Sequence, residues 1–165
     1  MRHDLDSFKD IKIGVLTVSD SRTFDNDFSG KSIAAFLKNE GYEVVFYEIV
    51  SDESSQIIDK LNSALKEKKT DLILTVGGTG FGPRDNTPEA TLKVVERVIP
   101  GLSECIRAEG AKKTKAAYLS RGVAGIKGQT IIVNLPGSLK GAEESIGAIS
   151  GLITHAIAMI KGEGH

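Results

Sequence analysis

Between Thr75 and Thr91 the chain reads Thr-Val-Gly-Gly-Thr-Gly-Phe-Gly-Pro-Arg-Asp-Asn-Thr-Pro-Glu-Ala-Thr, and this stretch holds the residue types that could do chemistry. Gly77, Gly78, Gly80 and Gly82, with Thr79 among them, let a backbone turn sharply and approach a ligand closely. Arg84 and Asp85 then stand between Pro83 and Pro88. Thr87 suits a helix N-cap and Pro88 the first helical position, where its missing N–H costs nothing. Free N–H groups at a helix start attract anions. The layout therefore predicts a site for a phosphate-bearing small molecule, with Arg84 and Asp85 beside it. It is neither a P-loop, since no Gly-Lys-Ser/Thr follows, nor a dinucleotide fingerprint, since Pro83 and Arg84 separate the glycines from the helix. The plainer alternative is a glycine-rich turn that only joins strand to helix.

Three carboxylates, Asp20, Asp52 and Asp85, fall where strands are expected to end. Like charges that must accept a polyphosphate need a hard cation between them, and Mg²⁺ binds few carboxylates together with phosphate oxygens and water. Each has a simpler role open to it: Asp20 an Asx-turn, Asp52 a helix cap, Asp85 an ion pair with Arg84. Ser19 and Ser21 flank Asp20. Ser29-Gly30 and Pro136-Gly137-Ser138 each precede a helical pattern, and could cradle a phosphate or serve as ordinary caps.

The elements that must position these residues alternate. Strands are predicted over 12–18, 43–50, 71–76 and 129–135, each a short apolar run rich in β-branched residues. Helices are predicted over 32–39, with Gly41 placed to end it, then from Ser51 or Asp52 through Ile57, Ile58, Leu61 and Leu65. Further helices are expected over 88–98, 102–113 and from Ser138 to about Ile160, whereas Tyr118 to Gly128 is too glycine-rich to assign. Such alternation implies an α/β fold: a three-layer, doubly wound, mostly parallel sheet with helices on both faces. Ligands of such folds bind beyond the carboxyl ends of the strands, where all the polar segments above would converge.

Residues 1–10 read as a polar tail and 11–165 as one domain, long enough to bury a substantial core. A formal net charge of −1 argues against a basic nucleic-acid binder. Cys105 is the only cysteine, so no intrachain disulfide can form and a Cys/His zinc site is disfavoured. His3, His155 and His165 have no partners in pattern, and the lysines at 66, 68, 69 and 112, 113, 115 read as solvated helix ends. The polar, acidic start and the lack of any long apolar run predict a soluble, cytoplasmic protein without a membrane segment.

Gly77 to Thr91 also closely resembles the signature of the molybdenum-cofactor biosynthesis family, which takes in bacterial molybdopterin adenylyltransferase, molybdenum-cofactor biosynthesis protein B and gephyrin-like G domains. Leu16 to Ser21 with Ser29-Gly30 looks like that family's first loop, and Leu119 to Ser138 like its carboxy-terminal signature. The resemblance implies a homotrimer that binds molybdopterin and, with Mg²⁺, moves AMP from ATP to its terminal phosphate. It implies catalytic roles for Asp85 and Asp52, and a downstream molybdenum-insertion protein as a partner. With it, the molybdopterin phosphate is expected at Ser29-Gly30 and Pro136-Gly137-Ser138, and the nucleotide along Gly77 to Gly82. Asn86 departs from the usual aliphatic residue and Leu139 from a frequent proline or lysine. The competing expectation is a non-catalytic binding paralogue that acts as a carrier or scaffold.

Overall fold

A computed structural model describes residues 10–163, so nearly all of the expected tail, with His3 and His165, lies outside the described residues. The elements run β1 (Lys12–Val18), α1 (Phe28–Asn39), β2 (Glu43–Val50), α2 (Ser54–Glu67), β3 (Leu72–Val76), α3 (Thr87–Val94), β4 (Arg97–Val98), α4 (Pro100–Ala111), a 3₁₀ turn (Lys115–Leu119), β5 (Ala124–Lys127), β6 (Thr130–Leu135) and α5 (Leu139–Ile160). They form one six-stranded sheet in the order β2-β1-β3-β6-β5-β4. The first four strands of that order pair in parallel, and β5 and β4 add antiparallel. This is the expected mostly parallel α/β fold with helices on both faces.

Strand side chains alternate between the two faces, and both faces are apolar because both are covered. Ile13, Val15, Leu72, Leu74, Ile131 and Val133 pack under α1, α4 and α5, meeting Ile33, Leu37, Ile106, Ile146, Ile149 and Ile153. Leu16, Val18, Ile73 and Ile132 point the other way, against Ile57 and Leu61 of α2 and Ala90 and Val94 of α3. Each such buried side chain contributes roughly 1.5–3 kcal/mol relative to exposure. With the core saturated on both sides, the strand ends are rigid posts for the loops that follow them.

Three local readings change. The helix expected over 88–98 stops at Val94, because Val95 turns extended and Glu96 N–H bonds to Ile126 O at 2.8 Å, feeding the short strand β4. Strand β5 occupies the unassigned glycine-rich stretch. It pairs with β6 through a two-residue turn at Gly128-Gln129, with Gly128 at φ +58°. Neither Ser51 nor Asp52 caps α2, whose N-cap is Glu53 without a side-chain bond. No helix among the described residues is long and apolar enough to cross a membrane.

Candidate active site

Beyond the C-terminal ends of β1, β3 and β6 lies a cleft of about 330 Å³. It collects Ser19, Ser21, Asp52, Gly77, Gly78, Asp85, Gly137 and Ser138 of the residues expected from sequence. Thr79, Gly80 and Pro136 line a neighbouring cavity of about 370 Å³ between the glycine loop, α4 and the start of α5; Ser138 borders both.

Gly77 and Gly78 sit at φ +109° and +70°, and a Cβ on them would meet Val18 O and Thr87 Oγ1. Only glycine takes this path without strain. Thr87 is the first residue of α3 rather than its cap, and its hydroxyl donates to Gly77 O at 2.9 Å. The N-cap is Asn86, which makes no side-chain bond to the helix. Its amide donates instead to Asp52 O at 3.1 Å and Arg84 O at 3.4 Å, tying the loop that carries Asp85 to the loop that carries Asp52. Gly82 N–H donates to Asp85 Oδ2 at 2.8 Å. A side chain at Gly80 or Gly82 would crowd the same oxygen, at 2.8 and 2.9 Å.

Asp20 and Asp52 are joined reciprocally. Asp20 N–H donates to Asp52 Oδ2 at 2.8 Å, and Asp52 N–H donates to Asp20 Oδ1 at 3.0 Å. Arg84 grips both oxygens of Asp20, through Nε and Nη2 at 3.0 Å each, and reaches Glu53 at 2.9 Å. The guanidinium thus holds Asp20 below the usual carboxylate range, while Asp20 and Glu53 push Arg84 upward. Arg84 pairs with these acids and not with its neighbour Asp85. Asp52 moves the opposite way: desolvation first, then the facing charges of Asp20 and Asp85, raise it.

This geometry bears on two of the expectations. Among the described residues no three His, Cys, Asp or Glu side chains form a metal-binding group. Both oxygens of Asp20 accept from Arg84 and one also from Asp52 N–H. Asp52 and Asp85 remain, hard oxygen donors of like charge facing one cleft, and this donor set fits Mg²⁺. Ser29 and Gly30, the second case, lie inside the first turn of α1 and are buried. Gly30 N–H goes to Asp27 Oδ1 at 3.0 Å, and Ser29 Oγ donates to Gly137 O at 2.8 Å. Both lie behind the lining residues Asp27 and Gly137, to which they are bonded.

Sequence reasoning missed Asp27 as a site residue. This carboxylate, 1% exposed, is the N-cap of α1 and lines the cleft. It also accepts from Thr17 Oγ1 at 2.6 Å and from the Tyr47 hydroxyl. Burial and this bond to an acid raise the Tyr47 phenol. The signal was available: an aspartate three residues before Gly30, at the head of a helical pattern. Buried Asn134 was also missed. Its amide donates to Thr75 Oγ1 and Thr91 Oγ1, both at 2.9 Å, locking β6 to the strand and helix on either side of the glycine loop.

A doubly wound α/β protein with a glycine-walled, carboxylate-bearing cleft at the strand ends is the class these features define. Residues 14–155 match the family described as "Probable molybdopterin binding domain", and the chain belongs to it. It is 40% identical to a molybdopterin adenylyltransferase of Helicobacter pylori, over 92% of this chain and 89% of that one. It is 42% identical to the molybdenum cofactor synthesis protein cinnamon of Drosophila melanogaster, matching 91% of this chain but spanning only 26% of that longer protein. Among solved structures, the molybdopterin biosynthesis enzyme MoaB of Thermus thermophilus superposes with a TM-score of 0.84 at 44% identity, covering 92% of this chain and 97% of that one.

Proposed function

We propose that residues 11–165 form a single molybdopterin-binding domain that transfers AMP from ATP to the terminal phosphate of molybdopterin. The observation that carries this reading is the pair Asp52–Asp85, two carboxylates each with one oxygen that accepts a single backbone N–H and the other oxygen unbonded among the described residues, facing one cleft lined by Gly77, Gly78 and Gly137. The names of the Helicobacter and Thermus relatives support it.

In the reaction an oxygen of the molybdopterin phosphate attacks the α-phosphorus of ATP. The bond from that phosphorus to the bridging oxygen breaks, and pyrophosphate leaves. Such transfer depends on positioning and charge neutralisation more than on covalent catalysis. The N–H groups of Gly78, Thr79 and Gly80 have no partners among the described residues and would hold nucleotide phosphates. The start of α5, capped by the neutral Ser138, would hold the molybdopterin phosphate. Mg²⁺, held by Asp52 and Asp85, would neutralise charge on the phosphates. Arg84, restrained by Asp20 and Glu53, fixes the rim of the cleft. The same reading takes the protein to be a cytoplasmic homotrimer that passes its adenylylated product to a molybdenum-insertion protein. It rests there on the sequence resemblance.

Pyrophosphate release from ATP, molybdopterin and Mg²⁺ tests the proposal. Asp52→Asn and Asp85→Asn should each fold and each lose about 100-fold or more in kcat, the scale of losing one charge-stabilising group. Wild-type protein that binds molybdopterin without releasing pyrophosphate would instead be a carrier.

A further inference from the structure

The glycine loop from Gly77 to Asn86 bears Asp85. Local groups take the carbonyls of Gly77, Gly78, Gly82 and Arg84, and those of Thr79, Gly80 and Asp85 are taken by one residue from outside the loop. Arg121 N–H donates to Thr79 O at 2.9 Å, its Nε to Gly80 O at 2.8 Å and its Nη2 to Asp85 O at 2.7 Å. Nη1 pairs with Glu89 on the first turn of α3. Four N–H groups thus span the loop from near its start to Asp85 and on into the following helix. The segment that carries Arg121 is held in turn. Arg107 of α4 donates through Nη1 to Ser120 O at 3.2 Å and Gly122 O at 3.0 Å, gripping the carbonyls on either side. Asn134 Oδ1 accepts Val123 N–H at 3.1 Å just beyond.

We propose that Arg121 is a positioning residue for Asp85: it sets the shape of the glycine loop and so the aim of that carboxylate, with Arg107 as its anchor. The inference deepens the adenylyl-transfer reading and rests on it for its kinetic consequence. Arg121 touches no reacting atom in this scheme. The planar fork is essential, because lysine offers one compact ammonium that cannot serve two divergent carbonyls and a carboxylate together. The side chain is a third exposed and lies outside both apolar clusters, so its loss is felt in the loop more than in the core.

The test uses Arg121→Lys and Arg107→Lys in the full chain, with two readouts. Amide hydrogen exchange on the ligand-free protein needs no assumption about function. Amides 78–86 should exchange at least about tenfold faster in Arg121→Lys, with a smaller rise in Arg107→Lys, while those of β1, β6 and α5 stay unchanged. In pyrophosphate release, kcat should fall at least about tenfold while both KM values move less than about threefold. Unchanged exchange at 78–86, or a uniform rise across the sheet with a lowered Tm, would overturn the proposal. So would a change confined to KM. If the wild type releases no pyrophosphate, the functional reading fails and the exchange result alone decides whether Arg121 shapes the loop. Should Arg121→Lys not fold, Glu89→Gln and Arg107→Lys carry the same exchange comparison.

Discussion

The N-termini of α1 and α5 border the same cleft and are finished differently. At α1 the cap is a carboxylate. Asp27 accepts from Gly30 N–H, Thr17 and Tyr47, and Phe24 packs edge-on against the Tyr47 ring at 5.4 Å. At α5 the cap is a neutral hydroxyl, Ser138 Oγ accepting Gly141 N–H at 3.1 Å. In sequence the two look alike, each a serine beside a glycine before a helix. One helix end already holds its own anion, and a phosphate there would meet a buried negative charge. The other leaves its dipole unanswered. The comparison teaches that a helix start is an anion site only when its cap is uncharged.

The strongest way to break the comparison is to make the open end resemble the closed one. Ser138→Asp should cap α5 as well as serine does, so Tm should stay nearly constant, yet repulsion of the incoming phosphate should lower kcat/KM about 100-fold or more. Pyrophosphate release and a melting curve on the same sample check both halves, and retained turnover would remove the phosphate from α5. At the closed end, Asp27→Asn should destabilise by about 2 kcal/mol in urea unfolding, because an amide cannot accept from all three donors at once. Tyr47→Phe removes one of those donors and should cost about 1 kcal/mol in the same measurement.

The smallest effect concerns Asp52, whose folded value is raised above its ordinary 3.8. A carboxyl raised on folding favours the native state while protonated, and that advantage is lost as pH climbs through the folded value. Asp52→Asn should therefore melt somewhat higher than wild type at pH 7 and show no gain below pH 3.8, while remaining inactive. A mutant that melts lower at neutral pH would place Asp52 with Asp27, as a carboxylate the fold satisfies.

The four parallel strands are legible in the sequence because their composition answers to one cause, burial on both faces. The convergence of Ser19, Asp52, Gly77 and Ser138 follows from it, since parallel strands deliver their exits to one edge. Strand β4 is illegible: two residues leave no periodicity, and Arg97-Val98 continues the helical pattern before them. Strand β5 had a signal in Gly128-Gln129, a two-residue hairpin turn with Ile126 and Ile131 one position further out on each side. Arg121 had none of that kind, because two of its side-chain partners are carbonyls, which every residue carries, 41 and 36 positions away, and the third is Glu89, 32 positions away. Asn86 shows the limit of reading by likeness: a departure from the family pattern turns out to be a tether between the loops that carry Asp52 and Asp85.

The bond from Ser29 to Gly137 joins residues 108 apart, across the wall of the cleft. Bringing such distant segments together must overcome a loop-closure entropy that grows with their separation. The cleft therefore depends on strand β6 docking beside β3, which brings Gly137 to its place, so competence to hold a ligand reports on the long-range pairing of the sheet and not on any local segment.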